Sequence, residues 1–358
     1  MKKVFLLGLS LTLFFASCTK SDDPFVEKVV TPTYQNGILI LNEGGFTKNN
    51  ASLNFVGYDL ATMYDDIAKP ADAKTLGDVA QSMAFNSTKA FIVMNNSNKI
   101  EIFNRYTLKY EATIDKNLSQ PRYIALSNDE IYVTNWGSKS VNVFKQSDYS
   151  FVKEISLKYQ PENLVVSNNK VYVQETAEWG ATTSANKISI IDTKTKEVTK
   201  VITVEGKEKD KIDLQGIVAH GDFVYAISSN SYRTDFFKIN NITDTQILTF
   251  PSGANNNAKN LRAENAKLYY TSNNKVFAWE INDRAAQKYP LLTLTAAESQ
   301  DTYAAFYGFN VIDNKIYVAN AGDYTGPSKI KVYDLQGKVL KEFKGGLLTN
   351  GFYNNFKY

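Results

Sequence analysis

Apolar and polar residues alternate along most of the chain from residue 37 onward, in short runs that Asn, Asp and Gly separate. The stretch "EIYVTNWGSKSVNVFK" (130–145) shows this pattern, because two alternating runs flank a turn that carries Trp136. A period of two predicts strands with a buried face, and Asn, Asp and Gly tolerate the positive φ of tight hairpin turns. The sequence therefore predicts a series of antiparallel hairpins.

The hairpin unit recurs about seven times. The copies are "NGILILNEGG" (36–45), the weaker "NSTKAFIVMN" (86–95), "SNDEIYVTNW" (127–136), "SNNKVYVQET" (167–176), "HGDFVYAISS" (220–229), "ENAKLYYTSN" (264–273) and "IDNKIYVANA" (312–321). Successive copies lie 40 to 53 residues apart, which is in the range of a four-stranded propeller blade. We therefore predict an all-β fold, a seven-bladed β-propeller of four-stranded antiparallel blades, with strands A to D in each blade.

The two ends of the repeat are complementary. The first unit begins at its second strand, with Ile38, and no first strand precedes it. The tail "LLTNGFYNNFKY" (347–358) has the form of a first strand followed by an Asn-Asn turn. We therefore predict that the C-terminal strand joins the N-terminal blade, which leaves no free sheet edge in a propeller of residues 37–358.

The N-terminal segment has the pattern of an export signal. "MKK" is basic, and the apolar run "VFLLGLSLTLFFA" is too short to span a bilayer as a helix. "FFASC" resembles a bacterial lipobox, with Phe15 where Leu is usual, and implies cleavage before Cys18 and acylation of its thiol. We expect a signal peptide at 1–17 and a flexible tether at 18–36, with a free or buried core cysteine as the alternative.

The residues after Cys18 bear on location. "TKSDDPF" resembles the signal that sends Bacteroidetes lipoproteins to the outer face of the outer membrane, although a plain solvated linker would also have this composition. The resemblance implies a protein that is anchored in the outer membrane by lipid and exposed at the cell surface. An anchored protein that faces the periplasm is the alternative.

Composition removes several classes of function. Residues are 43% hydrophobic and 13% aromatic, as a large globular core requires. The single cysteine excludes an intramolecular disulfide, and the single histidine excludes a His-rich metal site. That histidine, His220, is predicted in an A–B turn on the face opposite the mouth, so a Ser-His-Asp triad at the mouth has no histidine to use. Without Lys2 and Lys3, 38 basic residues face 37 acidic ones, so we expect no nucleic-acid partner.

Two segments carry a family resemblance. "IYVTN" (131–135) and "ILILNEGGFTKNNASLNFVGYD" (38–59) are similar to the YVTN-type, or YncE-like, seven-bladed propellers, and more closely to surface lipoproteins of this type from Bacteroidetes. Some of those relatives accompany TonB-dependent transporters and bind cobalamin or iron–siderophore complexes. The resemblance implies a small-molecule nutrient as ligand, a TonB-dependent outer-membrane transporter as partner, and membrane contact only through the lipid anchor.

The B–C and D–A loops of such a propeller emerge on one face, around one mouth. Aromatic rings and cations at these tips would offer stacking surfaces and positive charge to a ligand. The candidate ligand-binding residues are Phe46, Arg122, Tyr123, Trp136, Trp179, Tyr232, Arg233, Arg262, Tyr307 and Tyr324. The D–A loops add further residues, among them Gln81, Glu162, Lys259, Tyr303 and Tyr353. The alternative is that these side chains fold back as caps over the blade ends.

Two other functions remain open. The chain could be a protein-interaction scaffold at the cell surface. Less favoured is a Ca²⁺-dependent, lactonase-like hydrolase in which Glu43, Asn163 and Asp323 supply oxygen ligands. We predict no catalytic residues and no resident cofactor, and we expect a binding protein.

Overall fold

The computed structural model describes residues 33–70, 75–178, 185–204, 213–251, 255–281 and 289–356. Thr33 to the C-terminus forms one compact unit. Cys18, the predicted signal peptide, most of the predicted tether and Trp179 lie outside the described residues.

Seven four-stranded antiparallel sheets make up the unit. In chain order the elements are β1 (Gly37–Asn42), β2 (Ser52–Gly57), β3 (Met63–Tyr64), β4 (Ala80–Phe85), β5 (Lys89–Met94), β6 (Lys99–Asn104), β7 (Tyr110–Ile114), β8 (Pro121–Ser127), β9 (Glu130–Asn135), β10 (Ser140–Lys145), β11 (Phe151–Ser156), β12 (Gln160–Ser167), β13 (Lys170–Thr176), β14 (Lys187–Asp192), β15 (Glu197–Thr203), β16 (Asp213–His220), β17 (Phe223–Ser229), β18 (Thr234–Asn240), β19 (Thr245–Pro251), β20 (Ala258–Glu264), β21 (Lys267–Ser272), β22 (Lys275–Glu280), β23 (Leu292–Thr293), α1 (Thr302–Ala305), β24 (Gly308–Ile312), β25 (Lys315–Asn320), β26 (Pro327–Asp334), β27 (Val339–Leu347) and β28 (Thr349–Asn354). The predicted seven-bladed propeller is confirmed.

Each blade is one sheet. Blades 2 to 7 each contain four consecutive strands, from β4–β7 to β24–β27, and blade 1 combines β28 with β1–β3. The first strand of each blade contacts the first strands of both neighbouring blades, so β4, β8, β12, β16, β20, β24 and β28 form the innermost ring. We call these seven the inner strands.

The turns between the first and second strands have the expected backbone. Asn128, Asn168, Asn265 and Asp313 take positive φ of 52°, 49°, 49° and 52°. A two-residue hairpin turn of the primed types requires this conformation, and Asn and Asp adopt it at lower cost than most residues. The polar pairs that punctuate the sequence repeat therefore make the inner hairpins.

The ring closes as predicted. Strand β28 pairs antiparallel with β1, from Ile38 opposite Asn354 to Asn42 opposite Thr349. Arg105 of blade 2 also holds the chain end: its Nε donates to Asn355 Oδ1 at 2.8 Å and its Nη2 to the Phe356 carbonyl at 3.2 Å. The last strand is thus fixed by the first blade and by the second.

The propeller begins slightly before residue 37. The Tyr34 amide donates to the Tyr106 carbonyl at 2.6 Å, and the Asn36 amide donates to the Asn355 carbonyl at 2.9 Å. These residues fall at the end of the segment predicted as tether, 18–36. Their contacts show that its last residues belong to the compact unit.

Apolar side chains are buried between blades. The described residues contain seven hydrophobic clusters, and each cluster joins one pair of neighbouring blades. The repeated tyrosine of the second strand is buried there, and in two blades its hydroxyl forms a hydrogen bond to the next blade. Tyr132 donates to the Thr193 carbonyl, and Tyr172 donates to the Asn241 carbonyl, each at 3.3 Å. The repeat is therefore the sequence signature of the contact between blades.

Removing β28 tests the closure. Truncation after Gly346 deletes Phe352, which is buried against Tyr317 of blade 7, and exposes the edge of β1. Burial of one Phe is worth about 3–5 kcal/mol, so we expect a decrease of at least that size in the free energy of unfolding and a broader thermal transition. Truncation after Phe356 keeps every residue of β28 and is the control. An unchanged transition in the shorter chain would contradict the closure.

Candidate functional site

The mouth of the channel is a cavity of about 1020 Å³. The first residues of the inner strands line it, together with Glu43 from the β1–β2 loop, Trp136 from the β9–β10 turn, and Tyr303 and Tyr307 at α1. We call this space the mouth cavity. Its walls come from all seven blades, so it exists only when the ring is closed.

Backbone irregularities bring polar side chains to this wall. Six of the seven inner strands shift register against the neighbouring strand near the end that lines the mouth. A β-bulge inserts an extra residue and redirects side chains. The bulged segments contain seven charged or amide residues that line the cavity: Gln81, Arg122, Glu162, Asn163, Gln215, Asn260 and Asn350.

Trp136 belongs to a network that crosses three blades. Its indole N–H donates to Glu162 Oε2 at 2.8 Å, and the Arg122 guanidinium lies 4.0 Å from its ring centroid. Arg122 also binds Glu162 through two hydrogen bonds of 2.7 and 3.3 Å and donates to Gln81 Oε1 at 2.5 Å. Protein groups therefore already occupy the polar edge of Trp136 and one of its faces.

A second group joins blades 1 and 7. The Tyr307 hydroxyl donates to Glu43 Oε2 at 2.5 Å, and burial raises the pKa of Glu43. The Tyr307 ring packs edge to face against Tyr303 and Tyr324, with centroids 6.0 and 6.2 Å away. Lys259 Nζ lies 4.6 Å from the Tyr303 ring. This side of the mouth offers aromatic surface with one cation above it.

Arg262 lies deeper in the channel. Its Nη1 donates to the Leu261 carbonyl at 2.8 Å, and burial lowers the pKa of its guanidinium. Burial also raises the pKa of Tyr123, and that of Tyr353 to about 12, so both hydroxyls stay protonated at neutral pH. Tyr353 Oη accepts from the Met83 amide at 3.1 Å.

The structure divides the candidate residues into two groups. Arg122, Tyr123, Trp136, Arg262 and Tyr307 line the mouth cavity. Phe46, Tyr232, Arg233 and Tyr324 are not among its lining residues, and Trp179 lies outside the described part of the chain. Contact of any of these residues with a ligand stays a prediction.

Local contacts account for the positions of Tyr232, Arg233 and Tyr324, which are not among the residues that line the mouth cavity. Asn230 Oδ1 accepts from the amides of Tyr232 and Arg233, and this tight turn leaves Tyr232 87% exposed. Arg233 forms an ion pair with buried Asp235 at 2.9 Å. Tyr324 donates to Asp301 Oδ2 at 2.7 Å and packs behind Tyr307. Phe46, 68% exposed, is in the β1–β2 loop.

Sequence reasoning missed polar residues inside strands. Gln174 and Asn310 line the cavity, although they lie within β13 and β24 rather than in loops. Gln174 is 3% exposed, and its Nε2 donates to the Leu214 carbonyl at 2.9 Å. One difference between the repeats could have indicated Gln174: "YVQET" (172–176) has Gln174 where the matching "YVTNW" (132–136) has Thr134.

The described ranges lack two features, a cluster of metal ligands and a membrane-spanning helix. They contain no group of three or more His, Cys, Asp or Glu residues that could hold a metal ion. Of the proposed Ca²⁺ ligands, Glu43 and Asn163 line the mouth cavity, whereas Asp323 does not and instead accepts from the Thr325 amide at 3.0 Å. None of the helices in these ranges is long and apolar enough to cross a membrane.

Fold and cavity together define the class: a seven-bladed β-propeller whose inner strands enclose a polar and aromatic mouth. Residues 36–353 match a family model described as a domain of unknown function, DUF5074, and the chain belongs to this family. Among curated protein sequences, none matches the chain significantly.

Solved structures share the fold at low identity. A quinonprotein alcohol dehydrogenase-like protein from Bacteroides thetaiotaomicron VPI-5482 is 18% identical, with a TM-score of 0.67 over 90% of this chain and 79% of that one. A protein from Lactobacillus plantarum is 12% identical, with a TM-score of 0.64 over 89% and 98%. A functionally unknown protein from Desulfotomaculum acetoxidans DSM 771 is 12% identical, with a TM-score of 0.63 over 90% and 100%. These similarities show the fold alone.

The Glu43 carboxyl should make stability depend on pH. Because its pKa is raised in the folded state, its contribution to stability is complete below its ordinary pKa of 4.5 and is lost as the pH rises through the folded value. We expect Glu43→Gln to gain stability relative to wild type between about pH 4 and about pH 7, measured by urea unfolding.

Glu342→Gln is the control with the opposite sign. Lys331 and Lys329 lower the pKa of this exposed carboxyl through hydrogen bonds. The free energy of unfolding of wild type should therefore increase slightly relative to that of the variant as the pH rises across the same range. If the stability of wild type relative to Glu43→Gln stays constant or increases as the pH rises, the assignment is wrong.

Proposed function

We propose that this propeller binds an organic small molecule with ring systems and anionic groups in the mouth cavity. The cavity itself carries the proposal. Its volume, about 1020 Å³, is at the upper end of the range of roughly 300–1,000 Å³ for small-molecule sites. Its wall combines aromatic rings, amides and cations, as ligand sites do.

Charge supports an anionic ligand. Of the lining cations, Arg122 is paired with Glu162, whereas Lys259 and Arg262 make no ion pair within the described part of the chain. Of the four lining carboxylates, Glu162 is paired with Arg122, Glu178 is paired with Lys139, and the raised pKa of Glu43 disfavours its ionised form. Asp213 makes no ion pair within the described residues, so two unpaired cations face one unpaired carboxylate in the lining.

The physiological part of the proposal rests on the N-terminal sequence and on the family resemblance. We infer that the chain is a lipoprotein anchored through Cys18 at the surface of the outer membrane. In this role it captures a nutrient of cobalamin or iron–siderophore type and passes it to a TonB-dependent transporter. Aromatic stacking and cation–π contacts, each worth on the order of 1 kcal/mol, would together hold such a ligand.

Two alternatives are separable from this proposal. A surface scaffold would capture an outer-membrane protein and no small molecule. A Ca²⁺-dependent hydrolase would turn over a lactone and lose that activity with a chelator, whereas a capture protein shows saturable binding without turnover.

The Trp136 network gives the sharpest binding test. Against a panel of cobalamin and ferric siderophores, measured by calorimetric titration, we expect saturable binding. Trp136→Ala should weaken it about tenfold, because it removes the ring and releases Glu162 from the indole N–H. Tyr289→Ala removes an exposed tyrosine that does not line the cavity and is the control. If Trp136→Ala lowers the melting temperature and leaves every affinity unchanged, Trp136 is only a cap.

The anchor has its own test. Cys18→Ala should release the protein from membranes into the soluble fraction, because acyl chains contribute about 0.8 kcal/mol per buried CH₂. Ser21→Ala is the matched control and should stay in the membrane fraction. Protease added to intact cells should degrade the wild type. Membrane retention of Cys18→Ala would contradict lipidation, and full protection of wild type would contradict surface exposure.

A further inference from the structure

The channel continues below the mouth cavity. A second cavity, about 510 Å³, is lined mostly by alanine, valine, leucine and isoleucine side chains of β8, β12, β16 and β20. It shares three lining residues with the mouth cavity: Asn163, Arg262 and Asn310. We call these three residues the waist. The mouth cavity and the lower channel therefore meet at one arginine.

Arg262 differs from Arg122 and Arg233 in having no ion-pair partner among the described residues. Arg122 and Arg233 each have a carboxylate within ion-pair distance, whereas no described carboxylate lies that close to Arg262. The only hydrogen bond of its guanidinium to the described residues runs from Nη1 to the main-chain carbonyl of Leu261. Since a guanidinium has five N–H donors, most of its donor capacity remains available.

Two hydroxyl donors, those of Tyr123 and Tyr353, line the mouth cavity together with Arg262. Tyr353 Oη already accepts from the Met83 amide, so its hydrogen remains available for donation. Two amide oxygens of the mouth, Gln174 Oε1 and Asn350 Oδ1, are buried and have no hydrogen-bond partner among the described residues. The site thus has donors for an anion at the waist and acceptors for a donor group of a ligand nearby.

We propose that the waist is an anion site in which Arg262, with the hydroxyls of Tyr123 and Tyr353, binds a carboxylate or phosphate group of an organic ligand. This deepens the proposed function and rests on it. A guanidinium binds such groups through two parallel hydrogen bonds, which also fixes their orientation. Arg262 is half-buried. A partly desolvated cation without a protein counterion costs free energy, and a bound anion offsets that cost.

The first test needs no identified ligand. Arg262→Gln removes the half-buried, unpaired charge, so its melting temperature should equal or exceed that of wild type. Phenyl phosphate should raise the melting temperature of wild type at constant ionic strength and leave that of Arg262→Gln unchanged. Lys275→Gln, an exposed substitution on β22, should respond as wild type does. A clear loss of stability in Arg262→Gln without ligand, or equal shifts in both proteins, would overturn the site.

The second test measures charge selectivity. Wild type should bind naphthalene-2-carboxylate about tenfold more tightly than the neutral amide, because hydrogen bonds to charged groups are worth about 1.5–3 kcal/mol. Arg262→Gln should lose that preference, and Arg262→Lys should recover part of it. Inorganic phosphate distinguishes the source: binding as tight as that of phenyl phosphate would assign the site to the free ion and overturn the organic ligand.

The two proposals fail differently. If the nutrient panel binds but wild type prefers no anion, the waist site is wrong and the capture function stands. If carboxylates bind through Arg262 while nothing in the nutrient panel binds, the capture function is wrong and the waist site stands.

Discussion

The structure depends on one constraint: the apolar faces of each blade are covered by the neighbouring blades. A single four-stranded sheet cannot bury both faces, and the seven clusters between blades supply the missing cover. Every blade therefore needs two neighbours, and blade 1 obtains its inner strand from the end of the chain. Sequence-distant segments such as Arg105 and Asn355 meet because the ring has to close.

The mouth cavity follows from the same constraint. Seven inner strands that pack side by side leave a channel, and the bulges near their first residues place polar side chains in it. These positions lie outside the clusters between blades, so their chemistry can change with little effect on the core. The mouth is accordingly the part of the molecule where residues such as Arg262 can serve binding at some cost to stability.

The fold could be predicted from the sequence for two reasons. Contact between blades requires a buried tyrosine or aliphatic residue at the same position of each blade, so that residue recurs along the chain. Asn also recurs in the turns between the first and second strands, where the backbone takes positive φ. The tail "LLTNGFYNNFKY" was recognisable as an inner strand because the first blade lacked one. The site could be predicted only in part from the sequence. The Trp136–Glu162 hydrogen bond depends on how two blades face each other, and the ion pair of Arg233 with Asp235 removed a candidate cation from the mouth. The positions of the bulges decide that side chains such as Gln81 and Asn260 point into the channel. These positions do not follow from the alternation of apolar and polar residues in the sequence.

The pairing of β28 with β1 also gives the propeller a direction. Thr349 and Glu43 lie at the mouth end of these strands, while Asn354 and Gly37 lie at the other end. The chain therefore enters the propeller at Tyr34 and Asn36 on the face opposite the mouth, beside Asn355. The two strands thus carry residues of the mouth at one end and the contacts that close the ring at the other.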